Sequence, residues 1–285
     1  MIKPSTYLVE TNLGYNIGAT VFYPLSSNGK SLVISSATGV LQRYYSKLAA
    51  HFSTIGYTVY TFDYSGIGAS NLTPLKRNNV DLKSWGENDQ ASMIAFAKTR
   101  QPSHKIILMT HSIGGQILPF NKNLDQVDLI ITVASQSGYW KHWKGFERLK
   151  MQIFWNVFIP ALTPIFGYFP AKTMGLFENL PKQMTYQWRR WAQHENYMLS
   201  EFDSDSLAFS KYDNPMLVLS FPRDEYAPKT AVDWLALQFS NAPIDRSHII
   251  PKDLAIPNVG HFGFFRETFK ESLWKMTEEW IENNL

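Results

Sequence analysis

The feature that most limits the fold of this chain is an alternation of short apolar runs with helical patterns. Ser31–Ser36 (SLVISS), Tyr57–Phe62 (YTVYTF), Lys105–Thr110 (KIILMT), Leu129–Ala134 (LIITVA) and Met216–Ser220 (MLVLS) are rich in β-branched, aromatic or aliphatic residues and show no polar alternation. Such runs predict strands buried on both faces. Between them, Tyr45–Ile55 places Leu48, Phe52 and Ile55 at helical spacing, with Gly56 as its stop. Trp85–Ala97 predicts a second helix, with Ser84 as N-cap and Glu87 three residues on. Thr230–Phe239 and Glu267–Asn283 read as further helices, and Gly18–Tyr23 and Arg246–Ile250 as further strands. Strand and helix in turn imply a mostly parallel sheet with helices on both faces.

Between Gly138 and Leu207 the strand signals stop and rings crowd in. Aromatic residues make up 15% of the chain and charged residues 18%, against a usual charged share of about 25%. Five of the nine tryptophans (Trp140, Trp143, Trp155, Trp188 and Trp191) fall in this one segment. Residues 138–207 therefore predict a helical insertion into a core made of residues 1–137 and 208–285. Some of its rings would hold it to the sheet and others would wall an apolar pocket. Met151–Ala171 carries no charge and is long enough to raise a membrane-span question. Pro160, Pro164 and Pro170, with Gln152 and Asn156, argue against a continuous span, and contact with a membrane surface is not favoured.

A chain of 285 residues buries a large core without staples. It contains no cysteine, which excludes thiolate zinc sites, iron–sulfur clusters, thiol nucleophiles and disulfides. Met1–Tyr7 lacks a basic start followed by an apolar run, so a cytoplasmic location is expected. A net charge of +3 advertises no nucleic-acid partner. There is no HExxH, no paired-histidine cluster and no GxxxxGK[ST], so no metal or cofactor is expected. Ser65-Gly66-Ile67-Gly68-Ala69-Ser70 lacks the third glycine of a dinucleotide loop, and Asp63 before it reads as a turn residue.

The strongest chemical signal is Thr110-His111-Ser112-Ile113-Gly114-Gly115, which follows a strand and opens into a helix. A serine on such a turn is exposed above the sheet, and small residues two before and two after it relieve crowding. Gly114 fills the second role; Thr110 stands where glycine is usual. A serine nucleophile needs a base, and the base needs an orienting acid, in the chain order Ser, Asp or Glu, His. Asp224, in the loop after Met216–Ser220, is the chosen acid, with Glu225 as its alternative. His261, in Gly260-His261-Phe262-Gly263, is the chosen base; His248 lies within a strand, and His111 adjoins the serine and points elsewhere. The backbone N–H groups of Ile113 and Thr38 would form the oxyanion hole, with Gly39 and Val40 as alternatives to Thr38.

With these segments in view, the chain resembles the α/β-hydrolase superfamily in its serine-nucleophile branch, over about Tyr15 to Leu285. Ala37-Thr38-Gly39-Val40, His111-Ser112-Ile113-Gly114-Gly115-Gln116, Gly167-Tyr168-Phe169-Pro170 and Gly260-His261-Phe262-Gly263-Phe264-Phe265 look like a bacterial family of predicted α/β hydrolases. The layout is similar to that of serine-aminopeptidase-like and monoacylglycerol-lipase-like enzymes. The resemblance implies an α/β-hydrolase sheet with an inserted helical cap, and Ser112, Asp224 and His261 as nucleophile, acid and base. It implies hydrolysis of a small-molecule carboxylic ester or related acyl compound without cofactor. An acyltransferase, a thioesterase, a peptidase and a non-catalytic binding module are the other readings.

Overall fold

The structure, a computed structural model, describes residues 2–285. The five apolar runs become five adjacent strands: β3 (Lys30–Ser35), β4 (Thr58–Phe62), β5 (Lys105–His111), β6 (Leu129–Val133) and β7 (Met216–Ser220). They sit in one eight-stranded sheet of order β1-β2-β4-β3-β5-β6-β7-β8. β8 (Ile244–His248) adds a parallel strand at one side. β2 (Asn16–Phe22) pairs antiparallel with β4, and β1 (Ser5–Glu10) antiparallel with β2. β1 has no counterpart in the sequence reading; it is a half-exposed edge strand, so its apolar residues are too few to signal burial.

Successive residues of the central strands face opposite layers. Ile106 and Leu108 of β5 join one apolar cluster, and Ile107 and Met109 the other. The second layer is closed by α1 (Ser46–Thr54) and by the C-terminal helical region. The first is closed by α2 (Leu82–Ser84), which continues through a wide turn at 85–90 into α3 (Ala91–Arg100). This helix starts three residues earlier than the sequence reading has it. Asp81, not Ser84, is its cap, because the Asp81 carboxylate accepts the Ser84 N–H at 2.8 Å. A four-residue helix, α4 (Ile113–Gln116), follows β5.

Residues 138–207 enter between β6 and β7 and are largely helical. α5 (Gly145–Ile153) and α6 (Ile159–Phe166) run through a wide turn at 154–158 as one helix, Gly145–Phe166. α7 (Lys182–Ala192) lies beyond it, and a single bridge pairs Phe169 with Leu180. Trp155, Ile159, Phe169, Trp191 and Tyr197 are buried in the same cluster as Trp85 and Leu118 of the core. The insertion thus shares the sheet's first apolar layer. α8 (Lys229–Ala236), α9 (Gly260–Gly263) and α10 (Lys275–Asn284) complete the chain.

Candidate active site

The loops that follow β3, β5, β7 and β8 all leave the same carboxyl edge of the parallel sheet, where ligands of open α/β sheets bind. β5 ends at His111 and α4 begins at Ile113, so Ser112 alone turns the chain. Its φ of 52° and ψ of −113° lie outside the allowed regions for an L-residue. Ala134 (φ 50°), directly after β6, and Arg223 (φ 58°), shortly after β7, share this positive φ. Three of the five non-glycine residues of positive φ among the described residues therefore crowd one edge of the sheet, and strain of this kind concentrates at functional sites.

The small residues behind the serine have a steric cause. A Cβ on Gly114 would lie 2.7 Å from the Ser35 carbonyl oxygen, so α4 packs against β3 only without a side chain there. Ser35 is opposite Thr110 in the ladder, which brings the loop after β3 beside the sharp strand-to-helix elbow at Ser112. Thr38 in that loop and Ile113 at the start of α4 are both buried. Neither backbone N–H donates to a protein acceptor among the described residues. The Val40 N–H, by contrast, is engaged by the Ala37 carbonyl at 3.1 Å, which removes Val40 as the alternative. The Thr38 hydroxyl is also buried without a partner.

Asp224 and His261 meet. The His261 Nδ1–H reaches both carboxylate oxygens of Asp224 at 3.0 Å. Asp224 Oδ1 also accepts the N–H groups of Tyr226 and Ala227 at 2.9 Å, so the acid is held from three directions. The Asp224 side chain is fully buried, whereas Glu225 is exposed and offers only its carbonyl, to Trp143. Asp224 is therefore the carboxylate that orients the imidazole. No hydrogen bond joins the Ser112 hydroxyl to His261 in this arrangement; such contacts are often long before substrate binds. His248 bonds Ser220 Oγ at 2.7 Å, a packing role in β8. Asp63 is a turn residue, as its position suggests: its carboxylate accepts the N–H groups of Gln42 and Ala69, at 2.7 and 2.9 Å.

One group that sequence reasoning set aside proves to be structural glue. His111 Nε2 lies 3.0 Å from the His261 carbonyl, and Nδ1 lies 2.9 Å from Tyr45 Oη. A carbonyl only accepts, so Nε2 carries the proton and Nδ1 receives the Tyr45 hydroxyl. The Tyr45 oxygen in turn accepts the Ala37 N–H at 2.8 Å. Complete burial, reinforced by the nearby His261 ring, holds His111 well below the usual histidine range, so it stays neutral. This chain of bonds ties the Thr38 loop, the elbow and the His261 backbone together. No spacing rule points to Tyr45, which lies 66 residues from His111 in sequence.

The insertion touches the same loops. The Trp143 indole N–H donates to the Glu225 carbonyl at 2.7 Å, and the Glu178 N–H to the Gly39 carbonyl at 3.0 Å. The Tyr197 hydroxyl bonds Gln116 of α4. A groove of about 560 Å³ runs between Gly39–Leu41 and Phe262 on one side and Leu176–Phe177 on the other, with Arg43, Lys172 and Arg266 at its rim. Among the described residues no three His, Asp or Glu side chains converge as a metal site.

An eight-stranded, mostly parallel sheet with a strained serine at its carboxyl edge defines an α/β hydrolase of the serine class. More narrowly, the chain belongs to the hydrolase family described as serine aminopeptidase, S33, whose model matches residues 30–214. The match takes in Ser112 and ends before Asp224 and His261. No curated protein matches the chain. Among solved structures it is similar to a thermostable carboxyl esterase from Bacillus coagulans, with 10% identity over 100% of this chain and 99% of that one and a TM-score of 0.70. It is similar to a Pyrococcus furiosus esterase, with 11% identity over 99% and 91% of the two chains and a TM-score of 0.62. A Xanthomonas campestris serine hydrolase without a lid matches at 13% identity over 98% and 96%, with a TM-score of 0.55. At these identities the likeness is one of fold.

Proposed function

We propose that the protein is a serine hydrolase that cleaves a carboxylic ester, or a related acyl compound with an apolar part, through an acyl-enzyme on Ser112. The observation that carries this reading is the buried Asp224–His261 pair at the sheet edge where the Ser112 turn also stands. His261 would take the proton from the Ser112 hydroxyl as the oxygen attacks the acyl carbon. The oxyanion would rest on the Ile113 and Thr38 N–H groups, which donate to no protein acceptor, with the Thr38 hydroxyl as a further donor. Collapse expels the alcohol with the proton from His261, and water repeats the sequence to release the acid. Residues 138–207 act as the cap, and the groove along Gly39–Leu41, Phe177 and Phe262 receives the apolar part of the substrate.

The family's description favours a second reading, an aminopeptidase on the same three residues. A substrate ammonium would want free carboxylates. The groove offers Arg43, Lys172 and Arg266 against Glu178, which is already paired with Lys172 at 2.8 Å. That charge weighs against a substrate ammonium in the groove. A fluorophosphonate probe should label the protein and fail to label Ser112→Ala; labelling that survives the substitution refutes the nucleophile. p-Nitrophenyl esters of rising acyl length should be turned over increasingly well and aminoacyl p-nitroanilides poorly. The reverse preference replaces the ester reading with the peptidase.

A further inference from the structure

The helix Gly145–Phe166 divides its surface in an unusual way. Trp155, Ile159 and Thr163, four residues apart, are at most 2% exposed and face the core. Most of the other apolar residues face outward. Phe146, Leu149, Ile153, Val157, Phe158 and Ile165 are all exposed, Phe146 to 69% and Ile165 to 74%. From Met151 to Phe166 this surface contains no Asp, Glu, Lys or Arg at all. Contiguous outward apolar surface on a single helix marks a surface that something covers.

Charge identifies what covers it. The helix and the turn before it, residues 139–166, hold four Lys or Arg against Glu147 alone, a net +3 that equals the charge of the whole chain. Lys141 and Lys144 lead into the helix, Arg148 lies in its first turn, and Arg189 lies against its middle, its Nε donating to the Trp155 carbonyl at 2.6 Å. None of these four has a carboxylate partner among the described residues. An apolar helix face with unpaired cations gathered at its N-terminal end matches a surface that is apolar inside and anionic outside. A second copy of this chain would bring the same unpaired Lys141, Lys144 and Arg148 to the interface, with no unpaired acidic counterpart on this face.

We infer that Gly145–Phe166 is an in-plane membrane anchor that seats the protein on anionic bilayers, with Phe146, Val157 and Ile165 among the side chains that enter the acyl region. The helix lies on the membrane and does not cross it. Crossing would strip Trp155, Ile159 and Thr163 from the core and break the Arg189 bond. The seat also adjoins the sheet edge that carries Ser112. The chain entering the helix is tied beside Asp224 through Trp143, and the chain leaving it is tied to the Thr38 loop through Glu178. A bilayer on this face would present its amphiphiles at the groove. The inference stands apart from the chemistry proposed for Ser112.

Co-sedimentation of the full chain with vesicles tests it. Vesicles of phosphatidylglycerol and phosphatidylcholine (3:7) should bind the protein at least tenfold more tightly than phosphatidylcholine alone. Binding should fall at least tenfold in 0.5 M NaCl, where screening shortens to a few ångströms. Phe146→Glu/Ile165→Glu should also lower it at least tenfold while leaving the melting temperature and probe labelling of Ser112 unchanged. If that double variant misfolds, Val157→Ser together with Lys144→Glu replaces it. Absence of vesicle binding overturns the anchor, and so does binding that ignores lipid charge and salt. Dimerisation that the same variants abolish, without vesicle binding, assigns the face to a second copy. Protein that neither salt nor alkaline carbonate removes from vesicles would instead be spanning, which also overturns it.

Discussion

Ser112 and the helix Gly145–Phe166 are opposite solutions to the problem of exposing a reactive surface. Ser112 is 6% exposed and held in a costly backbone conformation by neighbours on every side. Its turn is fixed by the β5 ladder, by the glycine-sized gap over Ser35 and by the His111–Tyr45 bonds. The helix is attached along one narrow stripe and leaves most of its apolar surface outside. Chemistry needs atoms that cannot move, so the elbow is overdetermined and strained. Docking needs only a face, so the helix carries exposed rings that add nothing to the core.

Activity should separate the two regions most sharply. If Ser112 is the nucleophile as proposed, Ser112→Ala should lower kcat/KM by about 10⁴-fold or more, read with a p-nitrophenyl ester. Ser112→Gly should be equally inactive yet more stable, by about 1 kcal/mol, since glycine relieves a φ of 52°. A lower melting temperature for the glycine variant would show that the turn is not strained.

The helix should show its two faces as a stability difference. Trp155→Ala opens a cavity in the shared core and should cost about 3–5 kcal/mol in urea unfolding. Val157→Ser, two residues on but exposed, should stay within about 0.5 kcal/mol. Equal costs would mean that the outer face is packed after all.

Tyr45→Phe tests the bonds that hold the serine turn. It leaves the buried Ala37 N–H and His111 Nδ1 without partners, at a cost of about 1–3 kcal/mol. Because those bonds hold the Thr38 loop, kcat should fall about tenfold with KM little changed. An unchanged kcat would break the link between this network and the site.

The smallest effect is a pH slope. Burial raises the Asp89 carboxyl from 3.8 to about 7, although it accepts the Tyr15 hydroxyl at 2.6 Å and the Ser65 N–H at 2.7 Å. The folded protein keeps a proton there that the unfolded chain has released above pH 4. Its contribution to stability is full below pH 4 and is lost as pH rises to about 7. The melting temperature of Asp89→Asn should therefore gain on the parent between pH 4 and 7, then run parallel. A constant difference across that range would mean that Asp89 is ionised in the fold.

Most of the central sheet was legible because its strands are buried on both faces, which leaves an unbroken apolar run in the sequence. Edge strand β1, with one wet face, left no such mark. The elbow was legible because Gly114 must be small to pass Ser35, a local demand that a sequence records. The sequence put Asp224 first but left Glu225 open as its alternative, since adjacent carboxylates in a loop look alike until the chain decides which one is buried. Ser84 looked like a cap for the same reason: a polar residue before an apolar helix is permitted, and Asp81 took the role when the helix began earlier.

The rings of residues 138–207 mark the limit most clearly. Composition alone established that the segment is apolar, uncharged over Met151–Ala171 and unlike the rest of the chain. The order of residues, beyond composition, determined the parallel sheet and singled out Ser112, Asp224 and His261 as candidates. Which rings go inward is decided by where Gly145–Phe166 rests on the core, and that depends on contacts with residues far away in sequence. Trp155 became core and Phe146 and Ile165 became surface through packing. Likewise, the pairing of His261 with Asp224 and of His111 with Tyr45 exists only once four loops share one sheet edge. Periodicity and turn chemistry are local and survive in one dimension, whereas burial and hydrogen-bond partnership between distant segments are set only by the folded chain.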